Sequence, residues 1–168
     1  MDAESFKQQF LPYHPRLYRI AYALTGNSQD AEDILQDAYC KLWNKRNELP
    51  HINNTEAFCV TLIKNLCFDL LRSTRMNLQE EMIENISLST NISPETEVIE
   101  QDESKQIQHL IDKLPEKQRQ VIRLRGINDC SLEEIEEITG LSAVNVRVLL
   151  SRARKIVKEQ YLKLASYE

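Results

Sequence analysis

Three groups of side chains in this 168-residue chain have types and spacings that can do chemistry. The first lies in the stretch AVNVRVLLSRARKIVK, residues 143–158. At about 100° per residue, Val146, Leu149, Leu150, Ala153, Ile156 and Val157 gather in one arc of a helix. Val144, Arg147, Val148, Ser151, Lys155 and Lys158 gather in the opposite one. An aliphatic arc fixes such a helix to a core, and a basic arc rich in small residues suits the major groove of DNA. Asn145 or Arg147 has the hydrogen-bonding groups to read base edges, and Val144 and Val148 can touch a thymine methyl. Arg152 or Lys155 can hold phosphates, with Ser142 and Ser151 on the same surface.

The second group lies in EAFCVTLIKNLCFDLLRSTR. Its apolar arc holds Val60, Leu62, Ile63, Leu66, Cys67 and Leu70, while Thr61, Lys64, Asn65, Phe68, Arg72 and Arg75 share the other side. Cations that follow phosphates, beside a ring that stacks on an unpaired base for about 1–3 kcal/mol, suit a single strand. Phe68 has a second reading, as a ring packed against the N-terminal helix. The third group is in DAEDILQDAYCKLWNK, where Ala31, Ile34, Leu35, Ala38, Tyr39 and Leu42 form a buried stripe. Asp33, Gln36, Asp37, Cys40 and Asn44 lie on the far side, with Trp43 at the margin. By composition this is an ordinary solvated face. The acids Asp30, Asp33 and Asp37 spread over too broad an arc for metal or acid–base work, and no His or Gly-rich loop converges on them.

The elements that position these groups are all helices, giving an all-α fold of two small domains. A first helix is predicted from Ala3 to Leu24, bent near Pro12 and Pro15. A second, capped by Ser28, runs to about Lys45. The polar loop from Asn47 to Thr55 precedes a third helix from Glu56 to about Arg75. Residues 76–92 have weak periodicity and read as linker. Ser93-Pro94 starts a helix ending near Leu114. Then come PEKQRQVIRLRG, the capping box Ser131-x-x-Glu134, and two helices joined through Gly140, the second capped by Ser142. Gly26, Gly126 and Gly140 all fall where left-handed helix ends are expected. The predicted units are 1–76, a bundle of three or four helices, and 105–168, joined by a linker over 77–104.

The formal charge of −5 argues against a protein that coats DNA by bulk electrostatics. Its acidity is local, however. Eight acids and no Lys or Arg lie between Met76 and Glu103, and setting those eight aside brings −5 to +3. In the last helix Arg147, Arg152, Arg154, Lys155, Lys158 and Lys163 face only Glu159. Cys40, Cys59, Cys67 and Cys130 form no C-x-x-C pair and have no ligand spacing with His14, His51 or His109, so reduced thiols are expected, with no metal and no cofactor. No apolar run of about 18 residues and no signal peptide is seen, which suits a cytoplasmic protein.

The three groups also occur in a familiar order. DAEDILQDAYCKLWNK resembles the region 2 helix of bacterial RNA polymerase sigma factors, and EAFCVTLIKNLCFDLLR resembles the promoter-melting helix that follows it. LPEKQRQVIRLRGINDCSLEEIEEITGLSAVNVRVLLSRARK resembles region 4. With only these two domains, from Phe6 to Lys158, the chain resembles an extracytoplasmic-function (ECF) sigma factor of the sigma-70 family. NVRVLLSRARK is similar to ECF factors of Bacteroidota. The resemblance implies that the second domain binds the −35 promoter element and that the first binds and melts the −10 element. It places Asp33, Gln36, Asp37 and Asn44 on a helix that docks on the clamp helices of the polymerase largest subunit, with the flap of the second subunit as a further partner. Lys64, Asn65, Phe68, Arg72 and Arg75 match the melting helix, and Asn53-Asn54 the loop that receives a flipped base, whose unstacking costs a few kcal/mol. The acidic linker matches a segment threading the polymerase near the RNA exit path. An anti-sigma factor is an implied partner.

One departure is specific. Many family members carry Ser-Arg where this chain has Val148-Leu149. Leu149 turns into the core arc and Val148 replaces a small polar residue on the groove side, so the family's base contacts do not transfer. A competing reading is a free-standing helix-turn-helix regulator that acts without polymerase. An enzyme is disfavoured, because nothing supplies a nucleophile–base pair or a metal cage.

Overall fold

The computed structural model describes residues 1–49, 51–84 and 102–166. Asp2 opens α1 (Ala3–Phe10) by accepting from the Ser5 N–H at 2.8 Å. The expected single bent helix is in fact two. A 3₁₀ turn, Leu11–Tyr13, separates α1 from α2 (His14–Thr25), and Pro12 and Pro15 each sit in a first turn where a missing N–H costs nothing. Gly26 ends α2 with φ +73°. The cap of α3 (Ser28–Asn44) is Asn27 rather than the expected Ser28: its side chain accepts from the Asp30 N–H at 3.0 Å. Ala31, Ile34, Leu35, Ala38 and Leu42 of the expected stripe are buried along α3, while Tyr39 is only half-buried, its hydroxyl 2.9 Å from His14 Nδ1. A second 3₁₀ turn, Arg46–Glu48, follows.

Asn54 caps α4 (Thr55–Glu84), accepting from the Ala57 N–H at 3.0 Å. This helix is 30 residues long and does not stop near Arg75. MNLQEEMIE contains no Gly or Pro and is mostly strong helix formers, so propensity favours carrying the helix on. Met76 and Leu78 are exposed there, which is why the apolar period was weak. The expected helix start at Ser93-Pro94 lies outside the described residues. Among those described, α5 (Glu103–Asp112) is capped by Asp102.

Pro115 precedes α6 (Glu116–Gly126). Gly126 is not left-handed, contrary to expectation. The positive φ falls instead on Asp129, at 54°, a residue type that tolerates it. Ser131 and Glu134 form both halves of the capping box of α7 (Leu132–Thr139), and Gly140 closes it at φ +75°. Ser142 Oγ accepts from the Asn145 N–H at 3.2 Å and starts α8 (Ala143–Ser166).

The first unit is built by α2 against α3 and α4, around Phe10, Leu17, Ile20, Leu24, Ile63 and Cys67, all essentially inaccessible. Full burial of such side chains contributes about 1.5–3 kcal/mol each. In the second unit α8 packs on α5, α6 and α7. The two units are joined: α6 lies on α2 and α7 on α4, and Val121, Leu124, Ile135 and Val146 belong to one hydrophobic cluster with the first unit's core. Cys59, Cys67 and Cys130 are buried free thiols and Cys40 is an exposed one. Burial pushes the Cys59 thiol up to about 11 and that of Cys67 to about 12, as expected of cysteines used as small hydrophobes.

Two glycines test this packing. A Cβ at Gly26 would meet Arg123 Nη1 at 2.7 Å in a backbone that already disfavours L side chains, whereas one at Gly126 meets nothing within 4 Å. Gly26→Ala should cost about 1–2 kcal/mol and lower Tm by roughly 2–8 °C. Gly126→Ala, inside a helix, should leave Tm unchanged or raise it. Thermal circular dichroism on both variants checks the pair, and equal effects would contradict the close approach of Arg123 to Gly26.

Candidate nucleic-acid interface

The helix-turn-helix presents the surface expected of α8. Val146, Leu150 and Ala153 are buried, and Leu149, Ile156 and Val157 are half-buried on the same side. Ser142, Val144, Asn145, Arg147, Val148, Ser151, Arg152 and Lys155 are all exposed. The face is therefore rigid from behind and open in front, along a helix of 24 residues. Val144, at 65% accessibility, and Val148, at 38%, are apolar groups left in water among cations.

The face on α4 is in a different state. Asn53 is exposed, and Asn54 has committed its oxygen to the helix cap. Lys64 is half-buried, and its Nζ donates to the Glu137 carbonyl of α7 at 2.8 Å. Arg75 pairs with Glu116 of α6 at 2.6 Å, and Arg72 pairs with Asp69 of its own helix. Phe68 is half-buried and packed on the shared core. Its ring also lines a crevice of about 570 Å³, with Asn65, Arg72 and Arg75 on one wall and Glu116 and Gln120 on the other. Packing and a ligand-facing position are thus both open to Phe68.

On α3, Asp33, Gln36, Asp37 and Asn44 are exposed. Asp33 accepts from Gln29 at 3.1 Å, one turn away. Trp43 is structural: its ring meets Phe6 edge-on at 5.1 Å and carries the Arg46 guanidinium at 4.0 Å. Among the described residues no cluster of His, Cys, Asp and Glu could hold a metal ion. No helix there is long and apolar enough to cross a membrane.

Sequence reasoning missed the residues that tie the units together. Arg16 of α2 pairs with both Glu56 of α4 and Glu134 of α7. Gln120 Nε2 donates to the Leu24 carbonyl at 3.3 Å. Arg123, only 3% exposed, pairs with Asp112 and lies 5.9 Å from the Tyr22 ring centroid. These partners are far apart in the chain and carry no local motif. The one signal available was four glutamates in the eight residues of α7. Glu134 is held below the ordinary carboxylate range, first by the Ser131 N–H and, after a countering burial effect, by the Ser131 hydroxyl and Arg16.

Comparison with known proteins matches residues 10–76 to Sigma-70 region 2 and residues 104–157 to Sigma-70, region 4. The chain belongs to the sigma-70 family. It is 27% identical to the ECF RNA polymerase sigma factor SigW of Bacillus subtilis, over 95% of this chain and 90% of that protein. It is 29% identical to the ECF sigma factor SigE of Mycolicibacterium smegmatis, over 90% of this chain but only 59% of the relative. The fold matches the sigma factor RpoE of Bartonella quintana, solved with the anti-sigma factor NepR, at a TM-score of 0.65 and 24% identity over 94% of this chain and 96% of that one. Its organisation and its function are those of an ECF sigma factor: it confers promoter-specific initiation on core RNA polymerase.

The Arg16–Glu134 contact gives a pH test with a defined sign. A carboxyl depressed on folding stabilises fully above its ordinary value, 4.5, and loses that contribution as pH falls through the depressed one. Glu134→Gln keeps a capping-box acceptor but removes the charge facing Arg16. Its Tm should lie roughly 1–4 °C below the parent at pH 7, the scale of a partly exposed ion pair of up to about 1 kcal/mol. The gap should close as the pH is taken below 4.5. A gap that persists in acid would mean the loss is steric.

Proposed function

We propose a division of labour among the three faces of this sigma factor. The exposed face of α8 reads the −35 element as duplex DNA. Arg147 and Asn145 approach base edges, Val144 and Val148 seek thymine methyls, and Arg152 and Lys155, with Ser142 and Ser151, hold phosphates. The face of α4 takes the melted −10 strand. Lys64, Arg72 and Arg75 follow its phosphates, Asn65 hydrogen-bonds, Phe68 stacks, and the Asn53-Asn54 loop receives an extruded base. Asp33, Gln36, Asp37 and Asn44 on α3 dock on the clamp helices of the largest polymerase subunit, and the second unit reaches the flap.

The observation that carries this reading is the co-occurrence in one chain of an open basic recognition helix, α8, and a cationic, Phe-bearing face on α4. A free-standing operator binder needs only the first. Its work is that of a non-catalytic, cytoplasmic initiation factor, since the polymerase it serves supplies the chemistry. A protein partner of the anti-sigma kind is consistent with the solved relative, which was captured with one.

Two outcomes are expected. Mixed with core polymerase and a promoter library, the chain should yield transcripts sharing paired −35 and −10 motifs. Tight operator binding by the chain alone, with no transcription, would overturn the assignment. Asp33→Lys with Asp37→Lys should weaken polymerase binding at least about tenfold, some 1.4 kcal/mol, with the helical signal intact. Unchanged affinity would remove α3 from the docking surface.

A further inference from the structure

The crevice of about 570 Å³ beside Phe68 is a joint product of the two units. One wall is α4, the other is α6, and Leu141, from the turn between α7 and α8, lines it as well. A volume of that order is usual for sites that take small molecules, and such sites favour the junctions of domains. The lining is not that of an apolar cavity, however. Three cations, Arg72, Arg75 and Lys117, stand along it against two carboxylates, Asp69 and Glu116.

The ion pairs of the two arginines leave most of their donors over. Arg72 meets Asp69 and Arg75 meets Glu116 through one terminal nitrogen each, and the two side chains are 69% and 58% exposed. A guanidinium carries five N–H donors in a planar fork that matches phosphate oxygens. Each arginine can therefore take a phosphate oxygen and keep its carboxylate. Lys117 is exposed on the facing helix, and among the described residues neither its ammonium nor the Asn65 amide has a partner. The Asn65 amide offers donors and an acceptor together. Phe68 and Leu141, both half-buried, add a ring and an aliphatic surface to the same lining.

We propose that this crevice binds a free nucleotide. Its base lies against Phe68 and Leu141 with an edge at Asn65, and its phosphates lie on Arg72, Arg75 and Lys117. Inorganic phosphate leaves the ring and the leucine unused, and an uncharged aromatic molecule leaves the cations unused. A flat heteroaromatic ring joined to phosphates uses both sets. Lys117 separates this ligand from a stretch of melted strand held by α4, because it comes from α6. Nucleotide binding here does not depend on the assignment of α4 to the −10 strand, since the crevice exists in the chain by itself.

The full-length chain is titrated with ATP and with GTP by isothermal titration calorimetry, at low salt and without magnesium. Tripolyphosphate and adenosine are the controls. Saturable binding at a single site is expected for at least one nucleotide, at least about tenfold tighter than either control. Lys117→Ala should weaken it about 2–5-fold, as loss of one exposed ionic contact does. Phe68→Leu keeps an apolar side chain on the shared core and should weaken it about fivefold or more through the lost stacking. Circular dichroism checks that the variants keep their helical signal, and if Phe68→Leu does not, the exposed Lys117 still decides. Absence of saturable binding by both nucleotides overturns the proposal. Tripolyphosphate binding as tightly as ATP and GTP also overturns it, since the crevice is then a site for any polyanion. Weakening by Arg72→Ala with none by Lys117→Ala places the nucleotide on α4 alone, as a fragment of a strand, and overturns the joint site.

Discussion

The position of Arg16 between Glu56 and Glu134 is the constraint on which the arrangement of this molecule turns. One guanidinium on α2 is shared by a carboxylate of its own unit and one from the helix-turn-helix. Arg16 is about a third exposed, so it is not a strong bond by itself. Its importance is directional. It fixes where α7 lies on α4, and with α7 placed, Lys64 reaches Glu137 and Arg75 reaches Glu116. Beneath these polar contacts the apolar cores run together, with Leu124 and Ile135 in one cluster with Leu17 and Leu24. The apolar part supplies most of the free energy and the polar part sets the register.

The acidic balance of the chain reads differently once the structure is known. A charge of −5 argued against bulk affinity for DNA, and much of the acidity lies between Met76 and Glu103. Four more glutamates crowd α7, where the capping box explains only Glu134. On the seam itself the Glu137 carbonyl accepts from Lys64 of α4, and Glu134 pairs with Arg16 of α2. Contacts of this partly exposed kind weaken at high salt.

Within each unit, local signals carried nearly everything. The stripe of α3, the capping box of α7, the Gly140 turn and the two arcs of α8 are all dictated by neighbours three or four residues away. The misreadings were local as well: Asn27 displaced Ser28 as a cap, and Asp129 took the positive φ assigned to Gly126. In each case two plausible residues stood close together and tertiary geometry chose between them. The end of α4 was misjudged because periodicity reports burial, and a helix that continues into solvent has none to report. The approach of the two units was not legible at all. Arg16 and Glu134 are 118 residues apart, and nothing in either neighbourhood names the other.

The departure at Val148-Leu149 bears on how such a molecule can be specific. Leu149 is half-buried against the core, and Val148 stands 38% exposed on the opposite face, as the helical wheel required. A valine on that side offers no bidentate hydrogen bond, and a bidentate pair is worth about 1–3 kcal/mol of discrimination. The small polar residue that Val148 replaces in the family pattern could hydrogen-bond where valine cannot, and the arginine of that pattern falls at Leu149, which faces the core here. The helix's local charge of +5 supplies only a few phosphate contacts to compensate. On the proposed assignment of the two faces, selectivity comes from linkage: two modest readers on one chain, each raising the effective concentration of the other.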